Sequence, residues 1–419
     1  MRVICGYNVN IDAVHNISGD EISRLIADFG LRPKIGLPEK ISSLEDLISG
    51  LLYCMKSGSG AELLIDDPEV AGLIGKTFDW QNRLGGNAGN MANVLAQLGA
   101  EPVLNVPALT CRQASFLHPG VRVAKSDKLQ PAALAAKEGE DLTHFVFQFS
   151  AGEKVATAGE AVVSPLENRF IASFDSLNRR LYTDPDFDSY CREHLDEIKG
   201  ALIAGFHLVS FPCLEESVKE RIEQIRSWKE KRPELFLHAE MGSIQSPEMM
   251  RCLLESLVVD SIGMNEDEMA VLGGLEPGSR GVIEAAGRLR SHLGVSRVCV
   301  HTREYVVSVV STVRGLISPD EEITAIERGV GMAATLAATG SIFGERPSLN
   351  VNPAGASAVN DFSRKGAKPS GSGAYICQGN EFLCLVPALN VRNPKMTVGL
   401  GDSMTAATFF YELASRQDL

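Results

Sequence analysis

Thr397-Val398-Gly399-Leu400-Gly401-Asp402-Ser403 joins an apolar run, residues 382–387, to an amphipathic pattern over residues 404–414. The run reads as a buried strand and the pattern as a helix, so an acid stands where a glycine loop meets a helix start. Glycines let backbone N–H groups converge, and a helix start adds unpaired N–H groups and partial positive charge; together they suit an oxyanion or a phosphate. Asp402 can then take a proton from a hydroxyl attacking that phosphate, or the stretch can be an ordinary turn with Asp402 or Ser403 as the N-cap.

Upstream of this loop, strands and helices alternate. Residues 190–199 are expected to be helical, 201–209 a strand, 215–231 a charged helix, and 235–237 a strand ending in His238-Ala239-Glu240. Residues 256–262 lead to Asn265-Glu266-Asp267-Glu268, which opens a helix to Leu272; 283–293 is a helix, and 298–300 a strand reaching His301-Thr302. The alternation implies a parallel sheet with helices on both faces, and ligands of such sheets gather beyond the strands' carboxyl ends. His238, Glu240, Asn265, Glu268, His301 and Asp402 all fall there. Glu240 and Glu268 are hard oxygen groups able to hold Mg²⁺ directly or through water, although either could be a cap or a surface acid. Residues 322–338 form a long Ala-rich helix. Residues 352–372, with Asn352-Pro353 and Gly371-Ser372-Gly373, are expected to be a mobile connector.

The N-terminal half has a different texture. A short strand over residues 2–5 runs into Gly6-Tyr7-Asn8-Val9-Asn10-Ile11-Asp12, where Asn8, Asn10 and Asp12 share one face by alternation. Such a trio suits a polyhydroxylated ligand, or an Asx-rich turn. Residues 21–29 and 43–55 are helical, and Glu62 follows a Gly/Ser loop. Arg83-Leu84-Gly85-Gly86-Asn87-Ala88-Gly89 is a second glycine loop before a helix over residues 91–98. Residues 143–149, 160–163 and 169–172 read as a small antiparallel meander, inserted as a lid would be. His144 lies on its first strand.

Five stretches in this order resemble the ADP-dependent sugar kinases, the archaeal-type glucokinases and phosphofructokinases of the ribokinase-like superfamily: the Asn-x-Asn-x-Asp, Gly-Gly-Asn-Ala-Gly, His-x-Glu, Asn-x-x-Glu and Gly-Leu-Gly-Asp motifs. The resemblance implies an α/β ribokinase-like fold, a central mostly parallel sheet flanked by helices with a smaller β-rich lid. The lid would span 13–84 and 138–185, and the large nucleotide-binding domain 1–12, 85–137 and 186–419. It implies transfer of the terminal phosphoryl of ADP to a hexose hydroxyl with Mg²⁺. Asp402 would be the base, and the backbone amides of Gly399, Leu400 and Gly401 would stabilise the phosphoryl. Asn10, Asp12, Glu62, Gly86, Asn87, His144 and Asp175 would bind substrate, and Asn265, His301 and Thr302 would border the nucleotide. Glu240, Glu268 and Asp402 would organise the metal. Members that use a phosphorylated hexose have basic residues where this chain has Leu142-Thr143 and Asp175, so glucose is the favoured substrate. Fructose 6-phosphate, both sugars, or another sugar phosphate are the alternatives, with Arg179 and Arg180 as possible phosphate partners.

The chain has 419 residues, 44% of them hydrophobic, enough for two lobes with large cores. A formal net charge of −13 argues against a nucleic-acid or anionic-membrane surface. Nine scattered cysteines without a CxxC pair signal neither zinc nor a disulfide framework. With no apolar run long enough for a signal peptide or membrane span, the expected compartment is the cytoplasm. No Gly-x-x-x-x-Gly-Lys-(Ser/Thr) is present, which disfavours a P-loop kinase. A dinucleotide-dependent oxidoreductase would need room after the Gly-x-Gly that the chain lacks there. A non-catalytic sugar-binding regulator would be expected to lose Asp402 or the metal acids.

Overall fold

The computed structural model describes the 419 residues except 158–160, 210–213, 243, 245, 274–280, 314–316, 346 and 417–419. Ile198–Ile203, Phe236–Glu240, Ser261–Asn265 and Arg297–His301 lie side by side and parallel. Arg2–Gly6, Glu101–Leu104 and Arg122–Lys125 continue the sheet in the same direction. Burial on both faces explains their unbroken apolar runs. Ile4, Ala201 and Ile203 enter one hydrophobic cluster, while Val3, Cys5 and Leu202 between them enter another.

Beyond Arg297–His301 the sheet turns antiparallel through Tyr305–Ser311, Glu381–Pro387, Gly373–Gln378 and Lys368–Ser370, reaching twelve strands in all with Lys128–Pro131 at the far edge. The first strand, Arg2–Gly6, sits between Glu101–Leu104 and Ile198–Ile203. Chain order therefore reverses there, and the crevice beyond these carboxyl ends is where a doubly wound sheet takes ligands.

Three expectations need correction. The stretch 352–372 is ordered: Pro353–Arg364 is a helix, and Asn352 caps it by accepting from the N–H groups of Ala354 and Gly355. A hairpin follows, Lys368–Ser370 with Gly373–Gln378, and the Ser372 N–H and hydroxyl at its turn both donate to Glu327. Asn-Pro is a helix-start signal that the Gly and Ser content had outweighed. Second, the helix expected to reach 199 ends at Glu193, and the next strand starts at Ile198 and stops at Ile203, before a 3₁₀ turn over Phe206–Leu208. Gly205 at φ +95° breaks that strand.

Third, the small sheet is mixed, not antiparallel. Its order is Ala61–Leu64, Asn168–Phe174, Thr143–Phe149, Asn10–Asn16, Gln81–Gly85. Thr143–Phe149 and Asn168–Phe174 pair antiparallel as neighbours in sequence do, but Asn10–Asn16 and Ala61–Leu64 come from far up the chain and run parallel to them. Val162–Val163 pairs instead with Lys154–Val155, and Glu160 of the expected strand lies outside the described residues, as does Cys213. Two of the expected lid boundaries, 13 and 84, fall within Asn10–Asn16 and Gln81–Gly85.

One face of this sheet is apolar. Phe145, Phe147 and Phe149 alternate inward with Phe170 and Ala172, and pack on the helix Leu44–Ser57 through Leu47, Ile48 and Leu51. Burying each such aromatic contributes about 1.5–3 kcal/mol, which fixes register, since a slip of one residue would put the phenylalanines in water. The opposite face is thereby committed to the polar residues of the same strands.

Candidate active site

Register sets the polar face. Arg83 lies opposite Asp12, Asp12 opposite His144, and His144 opposite Ser173, so one row crosses four strands. Glu62 joins the row from the outer strand and accepts from the Ser173 hydroxyl. His144 is buried between two acids: Nε2 is 2.9 Å from Asp175 and Nδ1 is 3.5 Å from Glu62. Burial alone would lower its pKa, but the Asp175 hydrogen bond and the Glu62 charge outweigh it and raise it to about 9. Asp175 is 3% exposed and also accepts from the Asn178 N–H and amide at 2.9 and 2.6 Å, so it orients His144 and does not face the cleft.

Asp12 accepts from Asn10 Nδ2 at 2.8 Å and faces Arg83 Nε at 3.8 Å. Burial raises its pKa against the His144 and Arg83 charges. Asp12 also lies against Gly85, where a Cβ would stand 2.1 Å from its Oδ1. Gly86, at φ +82°, is the N-cap of the helix Asn87–Gln97, and that helix begins the link to the other cluster. Asn87 accepts from Asn8 at 3.2 Å and donates to Asp402 Oδ1 at 2.7 Å. One turn on, Asn90 donates to Asp402 Oδ2 at 3.1 Å.

Asp402 lies in the first turn of Leu400–Arg416, whose first intrahelical bond runs from Ser403 N–H to Gly399 O. Gly399 takes φ +74° to make this start, and the N–H groups of the first turn have no intrahelical acceptor. The His301 ring packs on Gly401, where a Cβ would stand 2.8 Å from Cε1. Burial raises the Asp402 pKa, the Asn87 and Asn90 amides oppose, and the charge of Glu240 adds to the rise.

Glu240, at the carboxyl end of its strand, is 4% exposed and takes three donors: His301 Nε2 at 3.0 Å, His238 Nε2 at 3.2 Å and Thr405 Oγ1 at 2.9 Å. Burial would raise its pKa, yet these imidazoles hold it down at about 2. Glu268 forms a capping box with Asn265: its carboxylate accepts from the Asn265 N–H and Nδ2, both at 2.9 Å, and its own N–H donates to Asn265 Oδ1. Burial, with the charges of Glu240 and Asp402 adding, lifts its pKa to about 7. The Glu240 charge raises the pKa of both Glu268 and Asp402, and Asp402 adds to Glu268, so a cation beside them would relieve repulsion. Among the described residues no group of three or more His, Cys, Asp or Glu side chains is arranged to hold a metal by itself. A hard cation shared with phosphate oxygens needs only one or two carboxylates, so the donor set fits one.

The structure thus brings Asn10, Asp12, Glu62, Gly86, Asn87 and His144 together at one end, and Glu240, Glu268, His301, Gly399, Leu400, Gly401 and Asp402 at the other. Two expected residues are engaged structurally: Asn265 by the capping box, and Thr302 by its own turn, where its hydroxyl accepts from the N–H groups of Glu304 and Tyr305. Arg179 lies 3.9 Å from Asp66. Sequence reading missed Arg83, Asn90, Ser173 and Thr405. Asn90 alone carried a local signal, its three-residue spacing from Asn87 on one helix face.

The family model for the ADP-specific phosphofructokinase/glucokinase conserved region matches residues 1–411. An ADP-dependent glucose/glucosamine kinase of Pyrococcus abyssi is 28% identical, over 98% of this chain and 94% of its own. An ADP-specific phosphofructokinase of Pyrococcus furiosus is 27% identical, over 99% and 97%. A solved complex of an ADP-dependent kinase with fructose-6-phosphate and ADPβS superposes with a TM-score of 0.81 at 22% identity, covering 100% of this chain and 95% of that one. No helix among the described residues is long and apolar enough to cross a membrane. Five motifs in order, a glycine loop holding an acid at a helix start, and a match over nearly the whole chain agree: the chain belongs to the ADP-specific phosphofructokinase/glucokinase family and is an ADP-dependent sugar kinase.

Proposed function

We propose that the acceptor is a neutral hexose, glucose in preference to fructose 6-phosphate, and that the products are AMP and the sugar phosphate. The observation that carries the mechanism is the Asn87 bridge. Asn87 holds Asp402 and closely follows Gly85, which packs on Asp12, so the base and the sugar-holding acid both contact one loop. In the step, Asp402 accepts the proton of the attacking hydroxyl while its oxygen bonds the terminal phosphorus. The bond from that phosphorus to the bridging oxygen breaks, and AMP leaves with the electron pair. The N–H groups of Gly399, Leu400 and Gly401 receive the charge of the transferring group. Magnesium, if held by one or two of Glu240, Glu268 and Asp402, directly or through water, would neutralise the diphosphate. Asn265, His301 and Thr302 border the nucleotide, the first and last by shaping loops. The small sheet closes on the sugar as a lid, excluding water as a competing acceptor. The eight described cysteines are free thiols, which suits the cytoplasm.

Glucose is favoured because exposed Glu62 shares a face with Asp12 and protonated His144, an arrangement for hydroxyls and not for a dianion. One observation favours a sugar phosphate instead: Arg83 has two buried donor atoms, Nε and Nη2, that make no hydrogen bond. A coupled assay with Mg²⁺, ADP or ATP, and each sugar decides. The expected result is ADP-dependent turnover with the largest kcat/KM on glucose; a larger value on fructose 6-phosphate would reverse the sugar assignment.

A further inference from the structure

Behind Glu240 a chain of buried polar groups runs away from the cleft and through the sheet. His238 Nδ1 stands 2.8 Å from Ser261 Oγ, and Arg297 Nη1 stands 3.3 Å from the same oxygen. Arg297 Nε is in turn 2.8 Å from both Glu322 and Glu412, on two different helices. His238, Ser261, Arg297, Glu322 and Glu412 are each 3% exposed or less. None of the family's sequence motifs includes Ser261 or Arg297 among the residues that point to chemistry here.

For a neutral imidazole, counting donors fixes the direction of the chain. A guanidinium only donates, so Ser261 Oγ accepts from Arg297 and keeps one hydrogen to give. A carboxylate only accepts, so the His238 nitrogen facing Glu240 at 3.2 Å is the one that carries a proton. Both constraints are met when Ser261 donates to Nδ1 and Nε2–H donates to Glu240. Arg297 cannot swing away to leave the hydroxyl free, because two buried carboxylates hold it from the other side.

We propose that Ser261, fixed by Arg297, is a positioning residue: it confines the His238 proton to Nε2 and so keeps the Glu240 carboxylate turned toward the cleft. With the proton on Nδ1, a lone pair would face Glu240 Oε2 and push it away. Gly263 on the neighbouring strand leaves Glu240 little alternative room, since a Cβ there would stand 2.0 Å from Oε2. The functional weight of this device rests on the reading of Glu240 as an acid that organises the phosphate-bound cation; the tautomer itself does not.

The test is ¹⁵N-edited NMR of the full chain, with His238 assigned by comparison with His238→Gln. In wild type the expected pattern is a protonated Nε2 and a hydrogen-bonded, unprotonated Nδ1. Ser261→Ala is expected to lose the single tautomer and to weaken Mn²⁺ binding, measured by calorimetry without substrate, about tenfold. Ser261→Thr, which retains the hydroxyl, is expected to recover both. A wild-type His238 protonated on Nδ1 overturns the proposal by itself, whether or not the variants fold. So does a folded Ser261→Ala that keeps both the tautomer and the Mn²⁺ affinity. Should wild type bind no Mn²⁺, the cation reading of Glu240 fails, and the spectra still decide whether Ser261 sets the tautomer.

Discussion

At the edge of the large sheet, each acid is fixed by donors of its own: Asp402 by Asn87 and Asn90, Glu240 by His238, His301 and Thr405, Glu268 by Asn265. On the face of the small sheet, charged groups are paired with one another: His144 between Asp175 and Glu62, and Asp12 facing Arg83. The first kind of site is aligned before any ligand arrives, as a preorganised reaction centre needs to be. The second kind has an exposed member, Glu62, whose partners hydroxyls of a sugar can replace. Chemistry and selectivity are therefore expected to respond to different substitutions.

The largest effect is expected from Asp402→Asn, which keeps the size, the helix start and an acceptor for one of the two amide donors but cannot accept a proton. Turnover should fall about 10² to 10⁴-fold with ADP binding by calorimetry retained. Retention of more than about a tenth of the rate would make Asp402 a cap. Asn90→Ala should cost about tenfold in kcat, the size of one charge-assisted hydrogen bond. It also removes a cause that lowers the Asp402 pKa, so the acid limb of the kcat profile should move to higher pH. An unmoved limb would mean that Asn90 does not act on the base.

Glu268 offers a smaller, pH-dependent readout. Its folded pKa, about 7, lies above the ordinary carboxyl value, so its ionised form costs stability that appears as pH rises from the carboxyl range through 7. A cation would offset that cost. Mg²⁺ should therefore raise Tm by roughly 2–4 °C at pH 8 and by less than half as much near pH 5.5, where the proton competes. Equal shifts at both pH values would disconnect Glu268 from the cation. On the small sheet, His144→Gln should cost on the order of 2 kcal/mol near pH 6 by denaturant unfolding. That stability is fully present below the unfolded histidine value and lost as pH rises through about 9, so the gap to wild type should close near pH 10. A gap constant with pH would assign it to packing alone.

The same contrast governs what could be read from sequence. Gly399-Leu400-Gly401-Asp402 and Gly85-Gly86-Asn87 were legible because a glycine loop before a helix is a local pattern, and the parallel sheet was legible from apolar runs alternating with amphipathic ones. The row Arg83–Asp12–His144–Ser173 was not, because it depends on pairing between strands more than 100 residues apart in places, such as Asp12 with His144. Asp175 was expected to face the sugar; only the Asn178 and His144 contacts reveal it as a support. The capping box of Asn265 with Glu268 was visible as an Asn-x-x-Glu spacing, yet that spacing serves a cap and a metal acid equally well.

What remains is whether the polar face of the small sheet chooses a neutral sugar while the edge of the large sheet supplies the reaction. The measurement is kcat/KM for glucose and for fructose 6-phosphate, with the KM for ADP, in wild type and Glu62→Ala. The account predicts that wild type prefers glucose, that Glu62→Ala loses about tenfold or more on glucose, and that the KM for ADP stays within about twofold. A wild type that prefers fructose 6-phosphate, or a Glu62→Ala enzyme with undiminished glucose activity, would contradict it.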